Sequence, residues 1–178
     1  MRRSIAHVTR FNNKPQHFQE SVAEHSFFVA YITCILCDVL SKGGEKVDKE
    51  KALTMALMHD IEESFSGDII GPFKHRSKEV NEAIKKVNKE VIKEVFDTIP
   101  SSLSDHYVGL WNEEGEGKTI EAQIVKKADK LALIAKCKEE IKAGNGFFKK
   151  TYERELELLS EDDHDWWKKI KEQFLPEK

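Results

Sequence analysis

The stretch Ala56-Leu57-Met58-His59-Asp60-Ile61-Glu62-Glu63-Ser64-Phe65-Ser66-Gly67-Asp68 decides how the rest of the chain is read. An apolar helical run, Leu53, Ala56, Leu57 and Met58, drives into a His-Asp pair and then into acids and a glycine. Burial alone does not select such a reversal of polarity. Neighbouring residues on a helix point about 100° apart, so the His59 imidazole and the Asp60 carboxylate reach one ion together only near a helix end. Glu63 lies one turn beyond His59 on the same face. A water on an ion held by His59 and Asp60 then lies under the Glu63 carboxylate, the geometry of a general acid or base. The same residues also fit an exposed helix end carrying a solvated acidic cluster.

Around this stretch, 178 residues fit one domain covering 1–178, with length enough for a single core. Lysine and arginine total 29 against 32 acids, a net charge of −3 without charged blocks. That balance weighs against a polymeric nucleic-acid partner and leaves a nucleotide open. Charged residues at 34%, hydrophobic residues at 39% and four prolines describe a helix-rich globular chain. No apolar run is expected to reach the roughly 18 residues of a membrane span. Met1-Arg2-Arg3-Ser4-Ile5-Ala6-His7 lacks the apolar stretch of a secretory signal, so no membrane partner and a cytoplasmic location are expected. Cys34, Cys37 and Cys137 are too few for a disulfide framework, and the Cys34–Cys37 pair falls in an apolar run, which predicts two buried helix cysteines.

Hydrophobic spacing predicts an all-α, single-domain bundle of about six or seven helices. Residues 1–19 predict a short helix and a loop. Ser21-Val-Ala-Glu24 is a capping box, opening a helix with Val22, Phe28, Val29, Ile32, Leu36 and Val39 on one side and stopped by Gly43-Gly44. Asp48 caps a second helix that leads into the central motif. A third covers about 77–97, with Val80, Ile84, Val87, Val91 and Val95 on one face. A shorter helix over 101–112 turns Leu103, Tyr107, Leu110 and Trp111 inward, and Glu113 to Gly117 reads as a linker. Thr119 caps a long helix whose apolar stripe Asp129 interrupts, and an unpartnered buried carboxylate there is costly. Two closing helices carry Tyr152, Leu156, Leu159, Trp166, Trp167 and Phe174 and show no catalytic pattern.

His25 near one helix start, His59 and Asp60 at another helix end and Asp129 within a third supply two imidazoles and two carboxylates. Mixed nitrogen and oxygen donors without thiolate suit one divalent transition ion, manganese, cobalt, nickel, iron or zinc, over calcium. Each residue alone is more often a satisfied structural group. In order and with these spacings, Arg10-Phe11, Ser21-Val-Ala-Glu-His25-Ser26, His59-Asp-Ile-Glu-Glu63, Gly67-Asp68 with Pro72-Phe-Lys74, and Lys127-Ala-Asp129-Lys130-Leu131 resemble the HD-domain metal-dependent phosphohydrolases. Among these the chain looks like the small 5′-deoxynucleotidases.

The resemblance implies that His25, His59, Asp60 and Asp129 are metal ligands. It implies that Glu63 and Asp68 act on the water and the leaving oxygen, and that Arg10 lies near phosphate and sugar. Phe11 stands where the nucleotidases carry tryptophan, packed where a ribose 2′-hydroxyl would go. Lys74 is a further candidate phosphate clamp, and His75 lies near enough to the site loop to bear on a two-metal site. The implied reaction is hydrolysis of deoxynucleoside monophosphates, with release of triphosphate from a deoxynucleoside triphosphate such as dATP as the alternative. Arg2, Arg3, Lys14 and Arg76 are candidate cations for that longer substrate. An inactive metal-binding regulatory module is a third reading, disfavoured by the intact Glu63 and Asp68. A homo-oligomer is expected, by resemblance and from Trp166, Trp167 and Phe174 as an apolar surface.

Overall fold

Helix α1, Val22–Lys42, starts where the sequence places it: the Ser21 hydroxyl accepts from the Glu24 amide at 3.2 Å and the Glu24 carboxylate accepts from the Ser21 amide at 2.7 Å. The structure, a computed structural model, describes residues 3–176; Arg2 lies outside them. Helix α2 is Lys49–Met58, capped by Asp48. Two single-turn helices follow, α3 (Glu63–Ser66) and α4 (Gly71–Lys74), and then α5 (Lys78–Val95), capped by Ser77. The chain closes with α6 (Ser101–Glu116), α7 (Ile120–Lys142), α8 (Lys149–Glu161) and α9 (Asp165–Ile170). Among the described residues there is no strand, only one antiparallel bridge between Thr9 and Ser21. The all-α expectation stands, with seven helices longer than one turn among the described residues.

Helix α7 is the axis, packed against α1, α2, α6 and α8. Ala122, Ile124, Val125, Ala128, Leu131 and Ala132 are buried along it, against Val29, Leu36 and Leu40 of α1 and Met55 and Ala56 of α2. A smaller cluster of Val91, Ile92, Val95 and Phe96 joins α5 to Tyr107, Val108 and Trp111 of α6 and to Met58 and Ile61. These two cores clamp the His59–Asp60 turn from either side.

Four sequence expectations change here. Residues 113–116 continue α6 rather than forming a linker, because Glu113 pairs with Lys51 and Glu114 with Lys126 at 3.4 Å. The helix ends only at Gly117, whose φ of 66° is left-handed. Leu103, Val87 and Phe28 are exposed, so the inward stripes are narrower than their spacing suggested. Trp166 and Trp167 are core rather than surface: the Trp166 indole donates to Gln123 Oε1 at 2.9 Å and the Trp167 indole to the Leu159 carbonyl at 2.8 Å. They offer no sticky face. Cys37 is buried while Cys34 is partly open, and all three cysteines are free.

Helix α1 is long and apolar enough to cross a membrane, with a mean hydropathy of 1.5 over its most apolar window. It packs instead as a core helix, burying His25, Ser26, Val29, Thr33, Leu36 and Cys37 against α2 and α7.

Candidate metal and nucleotide site

Three helices bring the four candidate ligands together. His25 is fully buried in the first turn of α1, His59 is buried at the carboxyl cap of α2 with Asp60 beside it, and Asp129 opens from mid-α7 into a cleft. The His59 Nδ1–H donates to the Ala56 carbonyl at 2.8 Å, so Nε2 is the nitrogen turned to the site. It lies 3.1 Å from Asp60 Oδ2 yet has no hydrogen-bond partner in line. His25 Nε2 stands 2.9 Å from Asp129 Oδ1 and 4.0 Å from Asp60 Oδ2. One donor atom from each of His25, His59 and Asp60 lies within 4.8 Å of the others. Ligands about 2.0–2.2 Å from a shared ion sit roughly 3–3.5 Å apart, a spacing that His59 and Asp60 have at 3.1 Å, whereas His25 and Asp129 at 2.9 Å are hydrogen-bonded to each other. A buried imidazole nitrogen facing carboxylates with no aligned hydrogen bond has the chemistry of a metal ligand.

The electrostatics agree. Burial would lower the His59 imidazole, but Asp60, with Asp129 behind it, outweighs this and holds it up at about 10. Burial would raise Asp60, but His59, His25 and Arg10 hold it well below the usual carboxylate range. Glu63 is pushed up to about 9 by burial and by the charges of Asp60, Asp68 and Glu62. The site gathers the carboxylates of Asp60, Asp129 and Glu63 around two imidazoles and the Arg10 guanidinium.

Two cavities open from the cage and share Asp60, Lys74 and Asp129. The smaller, about 350 Å³, holds Arg10, Phe11, Glu63 and Asp68, with Thr151 and Arg154 from α8 on its far wall. Helix α8, which carried no catalytic pattern in sequence, therefore borders the site. Arg10 is anchored by Glu20 at 2.7 Å and stacks 5.1 Å above the Phe11 ring. Phe11 sits at φ 54°, an uncommon conformation for an aromatic residue, because its amide donates to Asp68 Oδ2 at 2.9 Å and its ring packs edge-on to buried Phe148 at 5.3 Å. One oxygen of Asp68 is thus committed to holding this turn. Lys14 lies over both phenyl rings and donates to Thr151, whereas Arg3 and Arg76 are exposed. His75 is exposed on the rim and is not among the converging donors.

The larger cavity, about 470 Å³, lies on the other side, toward Glu62, Asn88 and Trp111. Glu62 escaped the sequence reading. It is buried, accepts from the Trp111 indole at 2.9 Å and from Asn88 at 3.3 Å, and is pushed up to about 7 by burial and by Asp60. Its place in the motif beside Glu63 was the only signal, since its partners come from α5 and α6.

Comparison with known proteins agrees with this geometry. The family model described as 5′-deoxynucleotidase YfbR-like matches residues 1–178. The 5′-deoxynucleotidase YfbR of Salmonella typhi is 32% identical over 161 residues, covering 88% of this chain and 79% of that protein. An HD-domain phosphohydrolase from Listeria innocua superposes with a TM-score of 0.84 at 29% identity, over 97% of this chain and 83% of its own. A cyanophage S-2L HD phosphohydrolase, bound to dA and one catalytic Zn²⁺, shares the fold with a TM-score of 0.67 at 18% identity, over 96% and 90% of the two chains. With the whole chain matched by the family and its fold shared with HD phosphohydrolases, the protein belongs to the YfbR-like 5′-deoxynucleotidase family of HD-domain hydrolases.

Proposed function

We propose that the protein removes the 5′-phosphate from deoxynucleoside monophosphates, using one divalent transition ion held by His25, His59, Asp60 and Asp129. The observation that carries this reading is the buried, unpartnered His59 Nε2 converging with His25 and Asp60 beside a cavity lined by Arg10 and Phe11. When bound, the ion supplies a water of lowered pKa and a Lewis acid for the phosphoryl oxygen. The rest falls to the chain. Arg10, held over Phe11 by the bond from one of its nitrogens to Glu20, offers its remaining N–H groups to phosphate oxygens. Lys74 borders both cavities and offers a second positive charge. Glu63 manages the proton of the attacking water, and Asp68 acts at the leaving 5′-oxygen while bracing Phe11. The P–O5′ bond breaks, water oxygen joins phosphorus, and the proton ends on the nucleoside hydroxyl.

Triphosphate release is a second reading, favoured by one feature. The larger cavity gives room beyond the cage, and Lys74, Lys85 and Lys89 on its wall make no ion pair among the described residues. A panel of dAMP, AMP, dATP and ATP with products resolved separates the two: free phosphate from monophosphates supports the first reading, triphosphate from dATP the second. No metal-dependent turnover of any of them would return the protein to a binding module. Elemental analysis of the purified protein fixes which of manganese, cobalt, nickel, iron or zinc it holds.

A further inference from the structure

The far wall of the smaller cavity is rich in hydrogen-bond donors and poor in acceptors. Lys14 reaches it from the loop before α1, Lys130 from α7, and Thr151 and Arg154 from α8. The Lys14 ammonium lies 5.7 Å from the centre of the Phe11 ring and 5.1 Å from that of Phe148, and it donates to the Thr151 hydroxyl at 3.1 Å. An ammonium has three N–H groups, and this bond uses one of them. Having accepted it, the Thr151 hydroxyl still has its own proton to donate. The acid on this wall, Glu155, is 5% exposed and already accepts from Lys130 at 2.8 Å and from two nitrogens of Arg154 at 2.9 and 2.6 Å. Glu155 therefore orients two cations and offers little to a ligand. A guanidinium carries five N–H groups, so exposed Arg154 keeps donors for the cavity. Asn13 also borders the cavity, but its amide donates as readily as it accepts.

Arg10 and Lys14 flank one ring, since Arg10 stands 5.1 Å from the same Phe11 centre. On the monophosphate reading, with the phosphate at Arg10 and the sugar against Phe11, the base extends toward Lys14, Thr151 and Arg154. Ile70, Pro72 and Leu133 line the cavity there and give a flat ring apolar contact. Guanine shows two acceptors at one edge, O6 and N7, and thymine or uracil shows O4, whereas adenine and cytosine carry an amino donor at the corresponding position. An amino group set against an ammonium, a guanidinium and a donating hydroxyl finds no dedicated acceptor and is left unsatisfied.

We propose that Lys14, Thr151 and Arg154 form a base-reading wall that selects keto bases, so that dGMP and dUMP are preferred over dAMP and dCMP. This assignment rests on the monophosphate reading of the site. A second phosphate suits the wall less well, because Glu155 already neutralises part of its charge and the Lys14 ammonium is engaged by two phenyl rings.

The test is kcat/KM for phosphate release from dGMP, dIMP, dAMP, dUMP and dCMP, beside the affinity of chelated protein for each nucleotide by calorimetry. Each keto base is expected to exceed its amino counterpart by about 5- to 20-fold. dIMP keeps the 6-oxygen of guanine without its 2-amino group and is expected to follow dGMP; if it follows dAMP instead, the 6-oxygen is not what is read and the proposal falls. Arg154→Leu and Thr151→Val, with circular dichroism as a folding control, are each expected to bring the dGMP to dAMP ratio toward one, while Arg154→Lys, which keeps donors, retains part of it. Equal values for all five nucleotides overturn the proposal, as does a preference that survives both Arg154→Leu and Thr151→Val. A preference for nucleoside 3′,5′-bisphosphates whatever the base would assign the wall to a second phosphate instead. If none of the five is hydrolysed, the monophosphate reading fails and the affinities decide alone: tighter binding of dGMP and dIMP than of dAMP sustains the base-reading wall, and equal or immeasurable affinities overturn it.

Discussion

Glu63 is caught between burial and three neighbouring acids, and the proposed reaction asks it to exchange a proton. Burial and the charges of Asp60, Asp68 and Glu62 push its carboxyl up to about 9, and a cation held as proposed beside Asp60 would relieve that repulsion. Glu63→Gln is expected to keep the metal and lower kcat by about 10²–10⁴-fold, whereas His59→Ala loses metal and activity together. Metal content measured beside kcat distinguishes them, and loss of metal in both would move Glu63 among the ligands. Phe11 sets a second expectation. Its ring, wedged between Arg10 and Phe148, offers an apolar wall but less of it than an indole would, so a deoxy preference of about 5- to 150-fold is expected in kcat/KM. Phe11→Trp should increase it. An unchanged ratio of dAMP to AMP would mean that the ring does not touch the sugar. The motif residues were legible because their helical spacing and polarity conflict are local. Glu62 was not, because its meaning depends on Trp111 and Asn88, which approach it from 49 and 26 residues away.

At the scale of elements, capping chemistry carried most of the reading. Ser21, Asp48 and Thr119 each receive the backbone bond expected of them, and the helices start within a residue of those caps. The misread segments are those in which tertiary partners override composition. Glycine at 115 costs a helix about 1 kcal/mol, yet α6 continues because its acids meet Lys51 and Lys126 from other helices. A contact invisible in sequence ties the loop before α1 to α7. Fully buried Glu140 accepts from the amides of His17 at 3.0 Å and Phe18 at 2.9 Å, from Lys136 at 2.9 Å and from Asn145 at 2.7 Å. Burial alone would raise this carboxyl, and the four donors instead bring it down to about 2. Removing one partner of such a buried pair costs about 3–5 kcal/mol. Glu140→Ala is therefore expected to lower Tm by roughly 6–20 °C and, by freeing the loop that follows Arg10 and Phe11, to raise KM for the nucleotide. A variant with wild-type Tm would show that the loop is held elsewhere.

For the molecule as a whole, the shifted groups at the site make stability depend on pH, in a direction that the proposed ion is expected to reverse. In chelated protein, His59 is held at about 10 against 6.5 in the unfolded chain, because Asp60 and Asp129 outweigh the effect of burial. A raised pKa of this kind stabilises fully below pH 6.5 and ceases to do so as pH rises toward 10. Glu63 acts in the same sense. Its pKa of about 9 against 4.5 means that, above pH 4.5, the unfolded chain releases a proton that the folded chain keeps. Asp60 and Asp129 lie below the usual range, so their contribution is lost only in acid, as pH falls below 3.8. Glu62, raised to about 7, adds to Glu63 in the lower part of this range and His59 adds to it in the upper part, so the chelated protein should lose stability throughout from about pH 4.5 to about 9. With the ion bound the sign changes, since a ligating imidazole must be neutral and metal affinity grows as protons leave. Urea unfolding of chelated and reloaded protein from pH 5 to about 9, the range over which these groups titrate, measures both slopes. Superimposed curves would mean that the four residues do not hold the ion, and a chelated protein that gained stability with pH would mean that the acids around Asp60 are balanced by charge from elsewhere in the fold.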